Sequence, residues 1–214
     1  LSQDVATSLP HTSGALLTAA RWALRESTVV AAPVSGFHHA CWNSGGGFCT
    51  FNGLMVAALA LQLDSPGCRV GILDYDYHYG DGTDDILRQL KPVGIVHVSA
   101  GARWTRPEQA NEFLSHIADD LQTLGKCDIV LYQAGADPHV DDPLGGFLTT
   151  AQLAERDKCV FTGMRERGIA VAWDLAGGYQ SPLGKVVDIH VNSFAASVDA
   201  PPGGLDQTPC SGAS

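Results

Sequence analysis

The feature that most constrains this chain is a regular alternation of short β-branched runs with longer stretches of helical spacing, each run closing on a polar motif. Ser13 to Glu26 reads as a helix and Thr28 to Val34 as a strand. Phe51 to Leu63 is then helical, Arg69 to Asp74 a strand, Asp81 to Leu90 a helix and Gly94 to Ser99 a strand. Pro107 to Leu124 opens with proline at a helix start, Asp128 to Gln133 follows as a strand, Thr149 to Arg167 as a helix and Ile169 to Trp173 as a strand. Val186 to Ser197 fits a last strand or a helix equally well. Five or more strands separated by helices imply a parallel sheet covered on both faces, with ligands held in loops beyond the carboxyl ends of the strands. The polar motifs stand at those ends: Gly36 to His39, Asp74 to Gly82, Gly135 to His139 and Gly177 to Tyr179.

The 214 residues, 45% of them hydrophobic, suffice for one α/β domain with a real core, expected over residues 1–200. The tail 201–214, rich in Pro, Gly and Ser, is expected to be flexible. The longest apolar-rich run, Gly53 to Leu63, covers about half of the roughly 20 residues that a bilayer requires, so no membrane span is expected. The six cysteines form no CxxC pair and read as reduced thiols, and no export signal opens the chain, so a cytoplasmic location is expected. Thirteen basic against 23 acidic side chains give a net charge of -10, which repels phosphate backbones and argues against direct nucleic-acid binding. A cationic substrate suits that field better.

The densest chemistry lies in Asp74-Tyr-Asp76-Tyr-His78-Tyr-Gly-Asp81-Gly. Asp74, Asp76 and His78 recur at i, i+2 and i+4, which turns their side chains to one side of an extended chain. Two carboxylates and an imidazole crowded at a strand end are costly without a cation, and a divalent metal resolves the conflict. Asp137, just past the apolar run Ile129 to Tyr132, supplies a third ligand, with His139 as a rival. An Asp-His-Asp set leaves a position for water, as catalytic zinc sites do, and its oxygen-rich shell also suits ferrous iron. Taken alone, Asp137 before Pro138 would be an ordinary turn residue, and Asp81 a helix cap.

His38 and His39, in a glycine-flanked loop, offer the acid and base that metal-activated water needs near neutral pH. Asp74 and Asp81 are the carboxylates available to orient their rings through Nδ1. Gly45-Gly46-Gly47-Phe48 lacks the Lys-Ser/Thr of a P-loop and the GxGxxG order of a dinucleotide site. Its glycines, Gly47 among them, suit close approach of backbone to substrate, with Phe48 as an apolar wall for an aliphatic chain. Gly177-Gly178-Tyr179 places a phenol on a turn where it can donate to a developing oxyanion.

Together, Gly-Phe-His38-His39-Ala, Gly-Gly-Phe48-Cys-Thr-Phe-Asn, the Asp74 to Gly82 run, Gly-Ala-Asp137 and Gly-Gly-Tyr179 resemble the histone deacetylase and acetylpolyamine amidohydrolase family, in order and spacing, from about Ser13 to Phe194. The resemblance implies the arginase-deacetylase fold: three αβα layers with a mainly parallel central sheet. It implies one zinc on Asp76, His78 and Asp137, proton transfers by His38 and His39 with Asp74 and Asp81 behind them, and a carbonyl-polarising role for Tyr179. It also implies a potassium ion near Asp74, Asp76, His78 and Ser99. The implied reaction is hydrolysis of an N-acyl amide, such as acetyl-lysine or another acylated amine, by metal-activated water.

Three departures from the family pattern carry expectations of their own. The chain starts close to the helix before the His-His strand, so the sheet edge and pocket rim are expected to be short at the N-terminal side. The stretch after Ser99 is brief, and Trp104 is expected to replace a second aromatic wall. Tyr79 stands where many members carry a second histidine, outside the expected metal shell.

Overall fold

The computed structural model describes residues 3–101 and 103–199; the expected flexible tail, 201–214, lies outside the described residues, as does Cys210. Five strands, β1 (Val29–Ala32), β2 (Val70–Asp74), β3 (Ile95–Ser99), β4 (Ile129–Gly135) and β5 (Ala170–Ala176), form one sheet in the order β1-β5-β4-β2-β3. Every pairing is parallel. Between them run α1 (Gln3–Glu26), α2 (Gly53–Asp64), α3 (Asp81–Leu90), α4 (Ala110–Thr123) and α5 (Thr150–Glu166), and α6 (Gly184–Asp199) closes the described chain.

The strands read as near-continuous apolar runs because both faces of the sheet are covered. Alternation sends Ile72, Leu131 and Ala172 to one side, where Leu16 and Ala20 of α1 and Leu54 and Leu61 of α2 meet them. Leu73, Tyr132 and Trp173 point to the other side, against Phe113 of α4, Phe161 and Met164 of α5, and Ile189 of α6. The result is a three-layer αβα arrangement with a wholly parallel sheet among the described residues.

Several boundaries differ from the sequence expectation. α1 begins at Gln3 rather than Ser13 and runs through Pro10. Burial periodicity starts only at Ser13, and the preceding residues are largely exposed, so the helical signal is silent there. The segment expected as one helix from Pro107 is a 3-10 turn, Pro107–Gln109, leading into α4. The segment 186–197 resolves to helix, within α6. No described helix is long and apolar enough to cross a membrane. Cys41, Cys49, Cys68 and Cys127 are free thiols.

The sheet positions the site through a single row. Asp174, Gln133 and Asp74 are consecutive partners across β5, β4 and β2, and Ser99 of β3 continues the row. At their carboxyl ends the buried strands thus exchange apolar side chains for polar ones, and the loops that leave there carry the motifs. Asn52 ties the base of these loops together. Its side chain caps α2 by accepting from Met55 N (3.0 Å) and donates to Ala40 O (3.2 Å) and Thr83 Oγ1 (3.0 Å).

Candidate metal centre

Asp76 and His78 leave the end of β2, and Asp137 leaves the neighbouring β4. One ligand atom from each lies within 4.8 Å of the others. His78 Nδ1 sits 3.1 Å from Asp76 Oδ1 and 2.9 Å from Asp137 Oδ2. The other Asp137 oxygen accepts from Tyr77 N at 3.1 Å, whereas Oδ2 is buried without a well-formed hydrogen bond. A buried carboxylate oxygen left open toward a second carboxylate and an imidazole is the donor set of a divalent cation, so these residues fit zinc. Without a cation the crowding is severe. Burial, and then the Asp137 charge, push the Asp76 carboxyl up to about 7, while the same two carboxylates raise His78 to about 10.

Two His–Asp pairs flank the cluster. His38 Nδ1 lies 2.7 Å from Asp74 Oδ2, and His39 Nδ1 lies 2.6 Å from Asp81 Oδ1. The two ring centroids lie 4.0 Å apart, with the planes tilted by 55°. His38 Nε2 is 3.7 Å from Asp76 Oδ1, so that ring borders the candidate metal-binding group directly. Burial alone would lower the His38 pKa; the Asp74 carboxylate outweighs it and holds it at about 9. Gln133, one step along the polar row, donates to Asp74 Oδ1 (3.2 Å) and accepts from Phe37 N (2.9 Å), joining the aspartate to the loop that carries the histidines.

A cleft of about 270 Å³ opens above the cluster, lined by His38, His39, Gly47, Phe48, His78 and Tyr179 among others. Phe48 is 93% exposed, and its ring lies 6.2 Å from that of Tyr179. Burial and the nearby Asp137 and Asp76 charges push the Tyr179 phenol up to about 12, so it keeps its proton at neutral pH. Tyr179 N donates to the buried Asp142 carboxylate at 2.8 Å. Gly177, at φ 55°, must be glycine: a Cβ there would fall 2.4 Å from the Asp137 carboxylate.

Most of the sequence-predicted residues meet in this one place, and Trp104 does not. It is 6% exposed in the core beneath the sheet, 5.3 Å from the Phe113 ring and under the Arg103 guanidinium, and it is absent from the cleft lining. Its ring packs against Phe113 and His116 of α4, whose apolar face draws the indole inward. His139 is likewise turned away from the ligands, with Nε2 at 2.9 Å from Thr150 Oγ1 and Nδ1 accepting from Asp141 N. Ser99 Oγ accepts from Gly80 N, and the Asp74 carbonyl accepts from Ala100 N. Tyr79 points outward and donates to Asp84.

Sequence reasoning passed over Gln133, Asp142 and Asp174. Asp174 is fully buried, with neither oxygen hydrogen-bonded among the described residues; burial, then the Asp74 charge, raise its pKa well above the usual carboxylate range. The available signal was an acid and an amide inside strands otherwise apolar enough to be covered on both faces.

A parallel αβα sheet whose strand-end loops gather one imidazole and two carboxylates, flanked by His–Asp pairs and a phenol, is an α/β fold with a candidate metal centre at its strand ends. Residues 1–104 match the model of the histone deacetylase domain. An uncharacterised protein of Picosynechococcus sp. is 30% identical over 203 residues, 87% of this chain and 67% of that protein. Histone deacetylase 2 of Arabidopsis thaliana is 26% identical over 180 residues, 75% of this chain and 46% of that protein. The crystal structure of acetylpolyamine aminohydrolase from Burkholderia pseudomallei superposes with a TM-score of 0.70 at 20% identity, over 88% of this chain and 62% of that one, and shares the fold. The chain belongs to the histone deacetylase family. It spans between about half and two thirds of the length of these relatives.

Proposed function

We propose that this chain is a zinc-dependent deacylase, hydrolysing the N-acyl amide of acetyl-lysine or a related acylated amine to a carboxylate and a free amine. The observation that carries the reading is the convergence of Asp76, His78 and Asp137 beneath a cleft that also presents His38, His39 and Tyr179. Asp76, His78 and Asp137 would hold the zinc, which when bound supplies Lewis acidity and makes a water acidic enough to ionise near neutral pH. The remaining work falls to the chain's own groups. Asp81 engages His39 Nδ1 and leaves Nε2 as the nitrogen that exchanges a proton with water or the leaving amine. Asp74 holds His38 in the same way at the floor of the cleft. Tyr179, protonated at neutral pH, donates to the acyl oxygen as charge develops there. Phe48 offers its ring to the aliphatic stem of the substrate amine, and the net charge of -10 favours a cationic amine. A potassium ion near Asp74, Asp76, His78 and Ser99 belongs to the same proposal.

Trp104 favours a second reading. With that indole in the core, Phe48 is the aromatic wall the described residues supply opposite Tyr179, as suits a zinc-binding domain without turnover. Release of acetate from an acetyl-lysine peptide by the zinc-reconstituted chain, with and without a hydroxamate chelator, separates the two. Chelator-sensitive release supports the deacylase. Bound zinc with no release from acetyl-lysine, acetylpolyamine or longer acyl amines supports the non-catalytic domain.

A further inference from the structure

We infer that Arg156 is a positioning residue of the metal centre, a buried guanidinium that holds the two ligand-bearing segments in register through their backbone carbonyls. The inference rests on the metal-centre reading above. Arg156 sits on the inner face of α5 with Leu153 and Val160, and its side chain is completely buried. Its Nη1 donates to two carbonyls at once, Tyr75 O at 3.1 Å and Gly135 O at 2.7 Å. Tyr75 immediately precedes the ligand Asp76, and Gly135 stands two residues before the ligand Asp137.

The geometry explains why a tie is needed at that point. β2 and β4 pair in register up to Asp74 and Gln133, and one more bond, Tyr75 N to Gln133 O at 3.1 Å, ends the ladder. Beyond it the two segments touch backbone to backbone without backbone pairing, and Tyr77 N donates across to the Asp137 side chain at 3.1 Å. A Cβ on Gly135 would fall 2.5 Å from Asp76 Cα and 2.9 Å from Asp137 Oδ1. Arg156 bridges the segments where the sheet no longer does, and the ligand spacing of Asp76 and Asp137 depends on that register.

The guanidinium is itself held. Nε donates to Asp157 Oδ1 at 2.8 Å, and Asp157 accepts from Tyr132 Oη of β4 and Ser193 Oγ of α6, both at 2.5 Å. Nη2 has no partner. A buried ion pair is weak support for stability alone, since apolar residues of equal volume commonly do as well. Two carbonyls on one nitrogen give this pair a placing role that apolar packing would lack. None of these atoms lines the substrate cleft.

The test is zinc affinity, measured with zinc alone against a chromogenic chelator, beside the melting temperature of the same samples. Arg156→Lys keeps the charge and loses the fork, and is expected to weaken zinc binding about 10- to 100-fold, the usual range for residues that orient metal ligands. Ser193→Ala loosens the same network without touching either carbonyl, and is expected to lower the melting temperature while leaving zinc affinity unchanged. If Arg156→Lys does not fold, the double variant Arg156→Met with Asp157→Asn removes both buried charges together, and the same zinc loss is expected. Unchanged affinity in the folded Arg156 variants, or equal losses in Ser193→Ala, overturns the inference. An unmodified chain that binds no zinc overturns the metal-centre reading first, and the inference with it.

Discussion

The floor and the rim of the cleft carry the same chemical pair in opposite surroundings. On the floor, the His38 and Asp74 side chains are 4% and 0% exposed; at the rim, those of His39 and Asp81 are 23% and 58% exposed. Their hydrogen bonds differ by only 0.1 Å, 2.7 against 2.6 Å. Bond length therefore says little about what each pair contributes. On the floor water cannot replace a lost partner, and Asp74 is further fixed by Gln133 and Asp76 N. At the rim, solvent screens the pair and can substitute for either member. We read the floor as the part that sets geometry and the rim as the part that meets substrate.

The largest effect should come from Asp74→Ala, which leaves His38 buried without its partner; removing one member of a buried pair costs about 3–5 kcal/mol. Urea unfolding of the metal-free chain measures it, and a loss under about 1 kcal/mol would remove the distinction between floor and rim. Next, Tyr179→Phe should lower kcat about 100- to 1,000-fold, the usual loss for one oxyanion donor, with zinc content and melting temperature unchanged. Normal turnover in this variant removes Tyr179 from the chemistry. The floor pair also predicts a pH signature in the metal-free chain. His38 is raised from 6.5 to about 9, so its contribution is complete below about pH 6.5 and fades as pH rises through about 9. Asp74 is shifted downward, so its contribution is lost only in strong acid. The stability gap between the unmodified chain and Asp74→Ala should therefore narrow from pH 6.5 to 9; a constant gap contradicts the pairing. The smallest effect on stability is expected from Asp81→Asn, within about 1 kcal/mol. Its mark should be a changed pH profile of kcat, and an unchanged profile would separate Asp81 from the proton transfers.

The floor was the more legible region in sequence. Carboxylates and imidazoles at strand ends conflict with the apolar runs before them, and that conflict is visible without coordinates, as at Asp76, His78 and Asp137. The alternation of strand and helix similarly foretold the parallel sheet and its covered faces. What stayed hidden depended on tertiary packing and strand register. Trp104 reads as an exposed aromatic in a polar stretch, and only the packing of α4 shows that Phe113 and Arg103 enclose it. The polar row of Asp74, Gln133 and Asp174 exists only once three strands are in register. Arg156 looks like one more charge on an amphipathic helix until Tyr75 and Gly135 are seen to converge on it. The extension of α1 to Gln3 was silent for a simpler reason, since an exposed helical segment has no buried stripe to report.

The most direct test of the account is elemental analysis of the zinc-reconstituted chain beside Asp76→Ala. About one zinc per unmodified chain, and none in the variant, is the predicted result for a single Asp-His-Asp centre. Zinc retained by Asp76→Ala, two metal ions per chain, or no zinc on the unmodified protein would contradict it.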